Sequence, residues 1–463
     1  METIRVHIDD LSDKAEGIGH IDGKAVFVKG ALPGEDVEAV VLKDKGRYYK
    51  ALVKGYDENR ACGGAPLLRM EYHRQLEWKE KHVRDCLTRI AKLEEPKINK
   101  IVPADKIFHY RNKGEFNVEG GRPYCNIHCE ECPIQPEKAM EITKAFRNDP
   151  RKNSERLIVR TSRNGEYMAY TVQKNGYELL YDGEKLIHEH IGEIELEVDP
   201  FSFYQVNTDQ CEKLYGIVKS YVKEGDSMLD LYCGAGTIGL FCSDRCSRVI
   251  GVESVHEAIL QANRNAIMNH IVNTTFIEGK AEDAVAEKLQ GVKADIVVVD
   301  PPRAGCKESL LRTIAQIAPE RIVYVSCDPS TLARDIRILQ DLGFFFIEAT
   351  PVDMFPHTVH VETVCLLSKL SEAKHHISVQ VDMEELDVTA AESKATYEEI
   401  QEWVQEKYGF HVSHLNIAKT KRKCGIIERQ NYNLPKSEDS RSPETPKEKE
   451  EAIVAAFKAF QMI

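Results

Sequence analysis

The sequence predicts a multidomain protein that begins with a small β-barrel, continues through an α+β domain into an α/β domain, and ends in a mostly helical or disordered extension. The chain has 463 residues, which is more than one ordinary domain holds. Its hydrophobic pattern changes near residue 200 from short alternating runs to alternating strand and helix signals, and it changes again near residue 370. We therefore expect four segments, at residues 1–57, 62–200, 201–370 and 371–463.

The amino-acid composition limits the classes of protein to which this chain can belong. Hydrophobic residues make up 42% of the chain, enough for real cores, yet no apolar run is long enough to span a membrane. The first residues carry no apolar signal region, and 13 cysteines in such a chain indicate a reducing compartment. We expect a cytoplasmic monomer without a membrane partner. The net charge of −13 argues weakly against a nucleic-acid partner, although a local basic patch can override the sum.

The first segment reads as β-structure. Val37, Ala39 and Val41 alternate with polar residues, and glycines separate several such runs. Five short strands in this length suit a small barrel of the oligonucleotide-binding type. Lys45 and Arg47 are candidate RNA contacts, and a solvated strand face is the alternative interpretation.

The second segment mixes helix and strand signals. Residues 71–93 form a charged amphipathic pattern that predicts a helix, and residues 116–118 are typical of a strand. Arg111 and Lys113 precede that strand and are candidate phosphate or RNA contacts; the alternative is an exposed strand edge.

Four cysteines of this segment raise the question of a metal site. Cys125, Cys129 and Cys132 follow a C-x3-C-x2-C spacing, which is tight enough to hold a metal or an iron–sulfur cluster, and Cys62 lies upstream. We favour the alternative, a loop of reduced thiols, so no metal is expected.

The third segment has the pattern of a Rossmann-like α/β domain. An apolar strand leads into a glycine-rich turn that includes Gly234, and Glu253 ends the next strand about 20 residues on, where an acid can accept the hydroxyls of a ribose. A later strand ends in Asp300-Pro301-Pro302. This order is expected of a class I methyltransferase that binds S-adenosyl-L-methionine. An NAD enzyme is the rival for the glycine turn, but it would not need the Asp-Pro-Pro.

Two further residues are candidates for the chemistry. Cys327 directly follows an apolar strand, and the crevice beyond such strand ends is where ligands bind. It is therefore either a nucleophile or a small buried apolar residue. Glu362, at the mouth of a final hairpin, is a candidate general base, and the alternative is a surface carboxylate.

The last segment carries no motif for chemistry. Residues 395–408 and 450–460 predict helices, and residues 437–449 are rich in proline, serine and charge, which predicts disorder. The basic run at residues 419–423 either docks on RNA or is a solvated face.

With these residues in place, the chain resembles the RNA uracil-5-methyltransferase family over about residues 1–370, in particular its 23S rRNA branch, which carries a TRAM domain. Gly17-Ile18-Gly19-His20 and Ala31-Leu32-Pro33-Gly34-Glu35 carry the likeness to the TRAM domain. The motifs of the other segments stand in the family's order: Phe203-Tyr204-Gln205-Val206-Asn207, Asp230-Leu231-Tyr232-Cys233-Gly234, Asp300-Pro301-Pro302-Arg303, Ser326-Cys327-Asp328-Pro329 and His360-Val361-Glu362-Thr363-Val364.

The resemblance implies the reaction and its residues. Cys327 matches the family's nucleophile and Glu362 its base. The positions that match the binding site for S-adenosyl-L-methionine are Gln205, Tyr232, Gly234, Thr237, Glu253 and Asp300. Thr237 stands where some members have Asn. The implied substrate is a uridine in 23S rRNA, or in another structured RNA with an accessible uridine; the alternatives are the T-loop uridine of tRNA and a non-catalytic ribosome-assembly factor.

The resemblance also bears on the cysteines. Iron–sulfur members of the family have four cysteine ligands, of which Cys62 and Cys132 match two, while Tyr56 and Ala65 occupy the other two places. Cys125 and Cys129 could substitute for the missing ligands. We expect no standard iron–sulfur cluster.

Overall fold

A computed structural model describes residues 2–56, 62–120, 122–124, 131–147, 154–173, 178–200, 203–287, 291–369, 397–424 and 446–459. The chain divides into two compact units, Met1–His376 and Ile377–Ile463. The first unit contains three successive regions. The N-terminal sheet has an apolar core of its own, whereas the clusters of the other two regions are partly shared: Val83 and Leu87 pack with the last region, as do Ile187 and Leu196.

The chain begins with a six-stranded sheet in the order β1-β5-β6-β4-β3-β2, in which β4 and β6 are parallel. The two-residue strand β2 accounts for the difference from the five strands that the sequence predicts. Small and β-branched side chains fill the interior, among them Val26, Val28 and Ala39. The strands are β1 Thr3–His7, β2 Asp10–Leu11, β3 Glu16–Ile21, β4 Lys24–Lys29, β5 Asp36–Asp44 and β6 Tyr48–Val53.

The α+β domain has a five-stranded antiparallel sheet in the order β11-β10-β9-β7-β8, a separate hairpin β12-β13, and two helices. The helix predicted at residues 71–93 spans Tyr72–Arg89. The elements are α1 Tyr72–Arg89, β7 Lys113–Glu119, β8 Arg122–Tyr124, α2 Glu137–Phe146, β9 Arg156–Thr161, β10 Tyr167–Val172, β11 Glu178–Gly183, β12 Ile187–Ile191 and β13 Ile194–Val198.

The α/β domain is built on a seven-stranded sheet in the order β16-β15-β14-β17-β18-β20-β19. Its first five strands are parallel, and β20 runs antiparallel to both neighbours. Helices cover both faces, so β17 and β18 are buried along their whole length, as a parallel sheet requires. The elements are α3 Thr208–Ser220, β14 Asp226–Leu231, α4 Thr237–Cys242, β15 Cys246–Glu253, α5 His256–Met268, β16 Thr274–Glu278, α6 Ala281–Glu287, β17 Ile296–Val299, α7 Glu308–Ile317, β18 Arg321–Ser326, α8 Pro329–Asp341, β19 Phe345–Val352 and β20 Glu362–Ser368.

This strand order fixes where a ligand can bind. The order reverses at β14, whose neighbours β15 and β17 lie on opposite sides of it. In such sheets the crevice at the carboxyl ends of the strands, at the point of reversal, receives the ligand. The barrel, the α+β domain and the α/β domain together confirm the predicted fold class.

The second unit contains three helices, α9 Tyr397–Tyr408, α10 His414–Lys423 and α11 Lys447–Ala459. They share a small core with Ile400, Ile417 and Phe457 fully buried. Residues 437–445 of the segment predicted to be disordered lie outside the described residues. The prediction is wrong at residues 447–449, which form the first turn of α11, the helix that buries Ala452, Ile453, Ala456 and Phe457. In the described part of the chain, no helix is both long and apolar enough to cross a membrane.

Candidate active site

A cavity of about 970 Å³ opens at the carboxyl ends of the parallel strands in the first unit. Its lining includes residues that follow β14, β15, β17 and β18, together with the start of β20 and the segment before α3. The site therefore lies at the crevice that the sheet order predicts. Most of the residues that the sequence singles out for chemistry line it: Gln205, Tyr232, Gly234, Thr237, Glu253, Asp300, Cys327 and Glu362.

The glycine-rich turn lies between β14 and α4. Tyr232 has φ 63° and Gly234 φ 55°, so the backbone turns sharply after the strand, and Gly236 (φ 77°) precedes the helix. A Cβ atom on Gly236 would lie 2.7 Å from the Phe276 ring, which explains why glycine is needed there. A Cβ on Gly234 would meet nothing within 4 Å, so the turn leaves open space for a ligand.

Glu253, the last residue of β15, is held beside this turn. One carboxylate oxygen accepts a hydrogen bond from the Gly234 amide at 3.2 Å, and the other accepts from the amides of Ser254 and Val255 at 2.6 and 2.9 Å. The carboxylate is thus fixed at the strand end and lines the cavity. An acid in this position is suited to bind the hydroxyls of a ribose.

The segment before α3 is fixed by a chain of hydrogen bonds. Asn207 caps α3 by accepting from the Gln210 amide, and its own amide group donates to the Met354 carbonyl at 3.0 Å. Asn112 of the α+β domain donates to the Gln205 carbonyl at 2.8 Å. Gln205 is thereby held buried against the cavity. Thr237 shares a hydrogen bond of 2.9 Å with the buried hydroxyl of Tyr215.

Asp300 follows β17 and faces the cavity. Burial raises the pKa of its carboxyl group to about 7. Its side chain makes no hydrogen bond or ion pair with another residue of the described ranges, so its oxygens are available to a ligand. A partly buried carboxyl group without a protein partner can accept a hydrogen bond from a ligand or donate one to it.

Cys327 follows β18 and directly precedes α8, which Asp328 caps through the amides of Ser330 and Thr331. Cys327 is half-buried and lines the cavity, so it is not the fully buried apolar residue that was the alternative interpretation. Glu362 begins β20 and is only 4% exposed. Both side chains line the same cavity.

The electrostatics of this pair are unusual. Burial, and after it the charge of Glu362, raises the pKa of the Cys327 thiol to about 12, while Arg303 opposes the shift. Burial, and after it Asp300, raises the pKa of Glu362 to about 8. Both groups are therefore mainly protonated at neutral pH. Strongly shifted groups that share a cleft are typical of a catalytic site.

Arg303 and His360 also line the cavity, although the sequence analysis names them only as parts of motifs. The Arg303 guanidinium lies 3.4 Å from Nε2 of His360. Burial, and after it Arg303, lowers the pKa of His360 to about 4, so this imidazole is neutral at physiological pH. Arg303 is the cation that acts on both Cys327 and Glu362.

The candidate RNA contacts fall in different places. Arg111 lines the cavity, whereas Lys113 does not, and Lys45 and Arg47 are exposed at the turn between β5 and β6. The turn at residues 13–15, between β2 and β3, also lines the cavity, a placement that the sequence did not indicate. No pattern within the barrel sequence distinguishes this turn from the others. Exposed Phe203 also lines the cavity, although the sequence indicated it only as part of a motif.

The cysteines of the α+β domain are only partly described. Sγ of Cys62 lies 3.2 Å from Sγ of Cys132, so the two cysteines that match family ligands are brought together. Cys125 and Cys129 lie outside the described residues. Among the residues that are described, no group of three or more His, Cys, Asp or Glu side chains is arranged to hold a metal ion.

Two family models match this chain. The model described as tRNA (Uracil-5-)-methyltransferase matches residues 192–370, which contain the parallel sheet and most of the cavity lining. The model of the TRAM domain matches residues 1–54, the six-stranded sheet. The two models confirm the family that the motifs indicate.

Relatives match most of the chain. Two proteins named uncharacterized RNA methyltransferase are similar to it: that of Caldanaerobacter subterraneus is 36% identical and aligns over 80% of this chain and 98% of its own length, and that of Clostridium tetani is 34% identical over 80% and 97%. The structure is similar to that of Pyrococcus abyssi tRNA (uracil-54, C5)-methyltransferase in complex with S-adenosyl-L-homocysteine, with a TM-score of 0.62, 27% identity, and coverage of 79% of this chain and 100% of that one. The chain belongs to the RNA methyltransferases of the uracil-5-methyltransferase family that carry a TRAM domain.

Proposed function

We propose that this enzyme transfers a methyl group from S-adenosyl-L-methionine to carbon 5 of a uridine in 23S rRNA, through a covalent bond between Cys327 and the uracil ring. The observation that carries the proposal is the placement of Cys327 and Glu362 together in one cavity that the glycine turn also enters. The reaction needs a thiol that adds to the uracil ring and a carboxylate that later removes a proton from it, and both must reach the same base.

The residues present fit S-adenosyl-L-methionine. The open space above Gly234, the fixed carboxylate of Glu253 and the available carboxylate of Asp300 provide room, a ribose acceptor and a polar partner. Gln205, Tyr232 and Thr237 complete the set that would hold it. When bound, S-adenosyl-L-methionine supplies the electrophilic methyl group that carbon 5 of uracil takes up. The Pyrococcus abyssi protein, whose structure contains S-adenosyl-L-homocysteine, supports this assignment.

Cys327 activates the uracil. Its sulfur forms a bond to carbon 6, and the electron pair of the 5,6 double bond moves toward oxygen 4, which makes carbon 5 a nucleophile. After methylation, Glu362 takes the remaining proton from carbon 5. The electron pair re-forms the 5,6 double bond, the carbon–sulfur bond breaks, and Cys327 leaves as a thiolate. The product is 5-methyluridine and the enzyme regains its starting cysteine.

Ionisation of Cys327 is the step that must be assisted, because burial raises the pKa of its thiol to about 12. Arg303 is the group on this chain that favours the thiolate. Glu362, by contrast, must be ionised to accept the proton, and it gives up its own proton at about pH 8. A neutral Glu362 therefore repels the thiolate least during addition. Its later ionisation allows it to accept the proton from carbon 5.

The proposal also names the class of RNA that is methylated. Resemblance to the TRAM-bearing 23S rRNA branch supports ribosomal RNA, and the turn at residues 13–15 brings the TRAM domain to the cavity. A second candidate is a tRNA uridine, which the name of the Pyrococcus abyssi protein and the description of the matched family both favour. In either case the target base must be looped out or flipped, because carbon 5 is not reachable inside a helix.

Methyl transfer from labelled S-adenosyl-L-methionine to unmodified 23S rRNA and, separately, to unmodified tRNA tests the proposal, with sites mapped by mass spectrometry. We expect 5-methyluridine in 23S rRNA; label in tRNA alone would keep the chemistry and change the substrate. Absence of label in both, from folded enzyme that binds S-adenosyl-L-homocysteine, would favour a non-catalytic assembly factor.

RNA that contains 5-fluorouridine tests the covalent step, since fluorine at carbon 5 prevents proton removal and traps the adduct. We expect wild-type enzyme and the Cys424→Ala control to be trapped, because Cys424 lies in the second unit. Cys327→Ala should give neither adduct nor product. Methylation by Cys327→Ala at the wild-type rate would refute the covalent mechanism.

A further inference from the structure

The turn that carries Arg303, residues 302–306, packs directly onto helix α8, and we call it the Arg303 turn. Gly305 lies in this turn with φ 74°. A Cβ atom on Gly305 would lie 2.5 Å from the guanidinium of Arg334 and 2.6 Å from the carboxylate of Asp335. Glycine is therefore needed at this position, and the turn and the helix are in direct contact.

Two side chains of α8 hold the backbone of the Arg303 turn. Nη2 of Arg334 donates hydrogen bonds to the carbonyls of Ala304 and Cys306 at 2.9 and 3.3 Å. Oγ1 of Thr331 donates to the Arg303 carbonyl at 3.2 Å, and it shares this hydrogen with a carbonyl of the helix cap at the same distance. Three carbonyls of the turn thus point at the helix, so α8 sets the path of the turn.

A buried carboxylate fixes this contact. Asp335 of α8 is fully buried, and its Oδ2 accepts hydrogen bonds from the Cys306 amide at 2.7 Å and from the Tyr324 hydroxyl at 2.6 Å. Its Oδ1 accepts from Nε of Arg334 at 2.8 Å, which orients the guanidinium toward the turn. Tyr324 lies in β18, the strand that directly precedes Cys327. The same carboxylate therefore binds the strand, the helix and the turn.

The Arg303 turn brings a cation to the catalytic cavity. Arg303 and Cys327 both line that cavity, and the Arg303 guanidinium lies 3.4 Å from Nε2 of His360. Burial raises the pKa of the Cys327 thiol, and the charges of Glu362 and Asp300 add to that rise. Arg303 is the cation that opposes it. The position of Arg303 therefore affects how readily the thiolate forms.

We propose that Arg334 and Thr331 are positioning residues, which hold the Arg303 turn so that the guanidinium of Arg303 stays beside Cys327 during addition to uracil. Helix α8 begins two residues after Cys327, so one helix fixes both the nucleophile and its cation. Neither Arg334 nor Thr331 lines the catalytic cavity, so both act through Arg303. The inference rests on the proposed function, because it takes Cys327 as the nucleophile.

Alkylation of Cys327 by iodoacetamide tests the proposal without RNA and without turnover. The rate is measured on full-length enzyme by mass spectrometry of the Cys327 peptide, at pH 7, where Glu362 is mainly neutral. The thiolate is the reacting form, so a displaced cation slows the reaction. We expect Arg334→Ala to slow alkylation about fivefold, less than the roughly tenfold or larger effect of losing a neighbouring cation outright. Thr331→Val changes no charge and removes one hydrogen bond, and it should slow alkylation about twofold.

Loss of structure would change the rate in the opposite direction. A loosened site exposes the thiol and returns its pKa toward about 8.5, so alkylation becomes faster. Arg337→Ala is the control, because Arg337 is exposed on the same helix, where it pairs with Asp341 at 3.7 Å. This variant should react as wild type does. A rate in Arg334→Ala equal to or above that of wild type would refute the proposal.

A double-variant cycle shows whether Arg334 acts through Arg303. In an Arg303→Met background, Arg334→Ala should slow alkylation no further, because the cation that it positions is absent. Equal slowing in both backgrounds would mean that Arg334 acts on Cys327 through its own charge, and it would overturn the proposal.

Cofactor binding and methyl transfer separate this proposal from the proposed function. The glycine turn and Glu253 follow other strands, so Arg334→Ala should bind S-adenosyl-L-homocysteine as wild type does. Loss of that affinity would overturn the proposal, since it would show that α8 supports the cofactor site. If wild type methylates RNA while alkylation does not respond to Arg334→Ala, the function stands and the positioning role is refuted. If wild type methylates no RNA but the alkylation rates change as described, the positioning role stands and the function fails.

Discussion

Cys327 and Glu362 directly follow and precede the last paired residues of two antiparallel strands. The pairing of β18 with β20 ends at Ser326 and Thr363, Cys327 comes next after β18, and Glu362 stands just before Thr363. Both side chains line the catalytic cavity. The end of this ladder thus brings the proposed nucleophile and the proposed base to one place, and the charge of Glu362 raises the pKa of the Cys327 thiol.

The first prediction concerns this coupling. Glu362→Gln removes the charge that raises the pKa of Cys327, but Glu362 itself carries that charge only above its pKa of about 8. Alkylation of Cys327 by iodoacetamide should therefore be nearly unchanged at pH 7 and faster than in wild type at pH 9. Mass spectrometry of the Cys327 peptide over time measures the rate.

Arg303→Met provides the opposite change. Because Arg303 lowers the pKa of the thiol, its loss should slow alkylation at both pH values. Equal rates for wild type and Glu362→Gln at pH 9 would show that the two groups are not coupled through charge.

The second prediction concerns the ion pair of Lys79 and Asp353, both of which are fully buried. Nζ of Lys79 lies 2.5 Å from Asp353 and also donates to the Phe355 carbonyl at 3.0 Å. Lys79→Met leaves a buried carboxylate without its partner, which should lower the free energy of unfolding by about 3–5 kcal/mol. Denaturant unfolding can be followed through the neighbouring Trp78 in a Trp403→Phe background, since the chain has two tryptophans.

A second substitution distinguishes lost charge pairing from lost packing. Lys79→Met with Asp353→Leu should recover most of the stability, because no unpaired charge then remains. Arg312→Ala breaks an exposed pair with Glu308 and should cost less than about 1 kcal/mol. If the double variant is no more stable than Lys79→Met alone, the charge is not the cause of the loss.

The third prediction concerns Asp230, which lies fully buried beneath the glycine turn. It accepts a hydrogen bond from the Gly239 amide at 3.0 Å, and burial raises its pKa to about 8 from an ordinary value of 3.8. The folded protein therefore retains a proton that the unfolded chain releases, so stability falls as pH rises between about 4 and 8. Asp230→Asn should make this fall shallower, as seen in unfolding curves at several pH values.

The experiment compares the pH dependence of stability and not the absolute stability of Asp230→Asn. One carboxylate oxygen of Asp230 has no described partner, so an amide at this position changes the free energy of unfolding at every pH. The control is Asp341→Asn at an exposed position, which should keep the wild-type slope. A wild-type slope in Asp230→Asn would show that its carboxyl group is ionised in the folded enzyme.

The parts of the site that the sequence predicts are those that follow strands. Gly234, Asp300 and Cys327 each come directly after an apolar run, and parallel strands bring their carboxyl ends to one edge. The period of the hydrophobic pattern and the order of the motifs were therefore enough to predict the α/β fold and most of the cavity lining. The two-residue strand β2 was missed because a strand that short has no alternation to detect.

Contacts between distant segments and the effects of burial could not be predicted from the sequence. Nothing near Lys79 in the chain indicates that its partner is Asp353, 274 residues away. The raised pKa values of Asp300 and Glu362 also depend on packing around them rather than on their neighbours in sequence.

The fourth prediction concerns the second unit, Ile377–Ile463, which has its own apolar core. All lining residues of the catalytic cavity fall between Asp13 and Glu362, and the relatives align over about 80% of the chain. Removal of residues 377–463 should therefore leave S-adenosyl-L-homocysteine affinity and the rate of uridine methylation unchanged. Calorimetric titration and labelled methyl transfer measure these two quantities.

A rise in the KM for RNA with an unchanged kcat would instead assign RNA docking to this unit, where α10 carries Lys419 and Lys423. Lys423→Ala in the full chain would then reproduce part of that rise in KM.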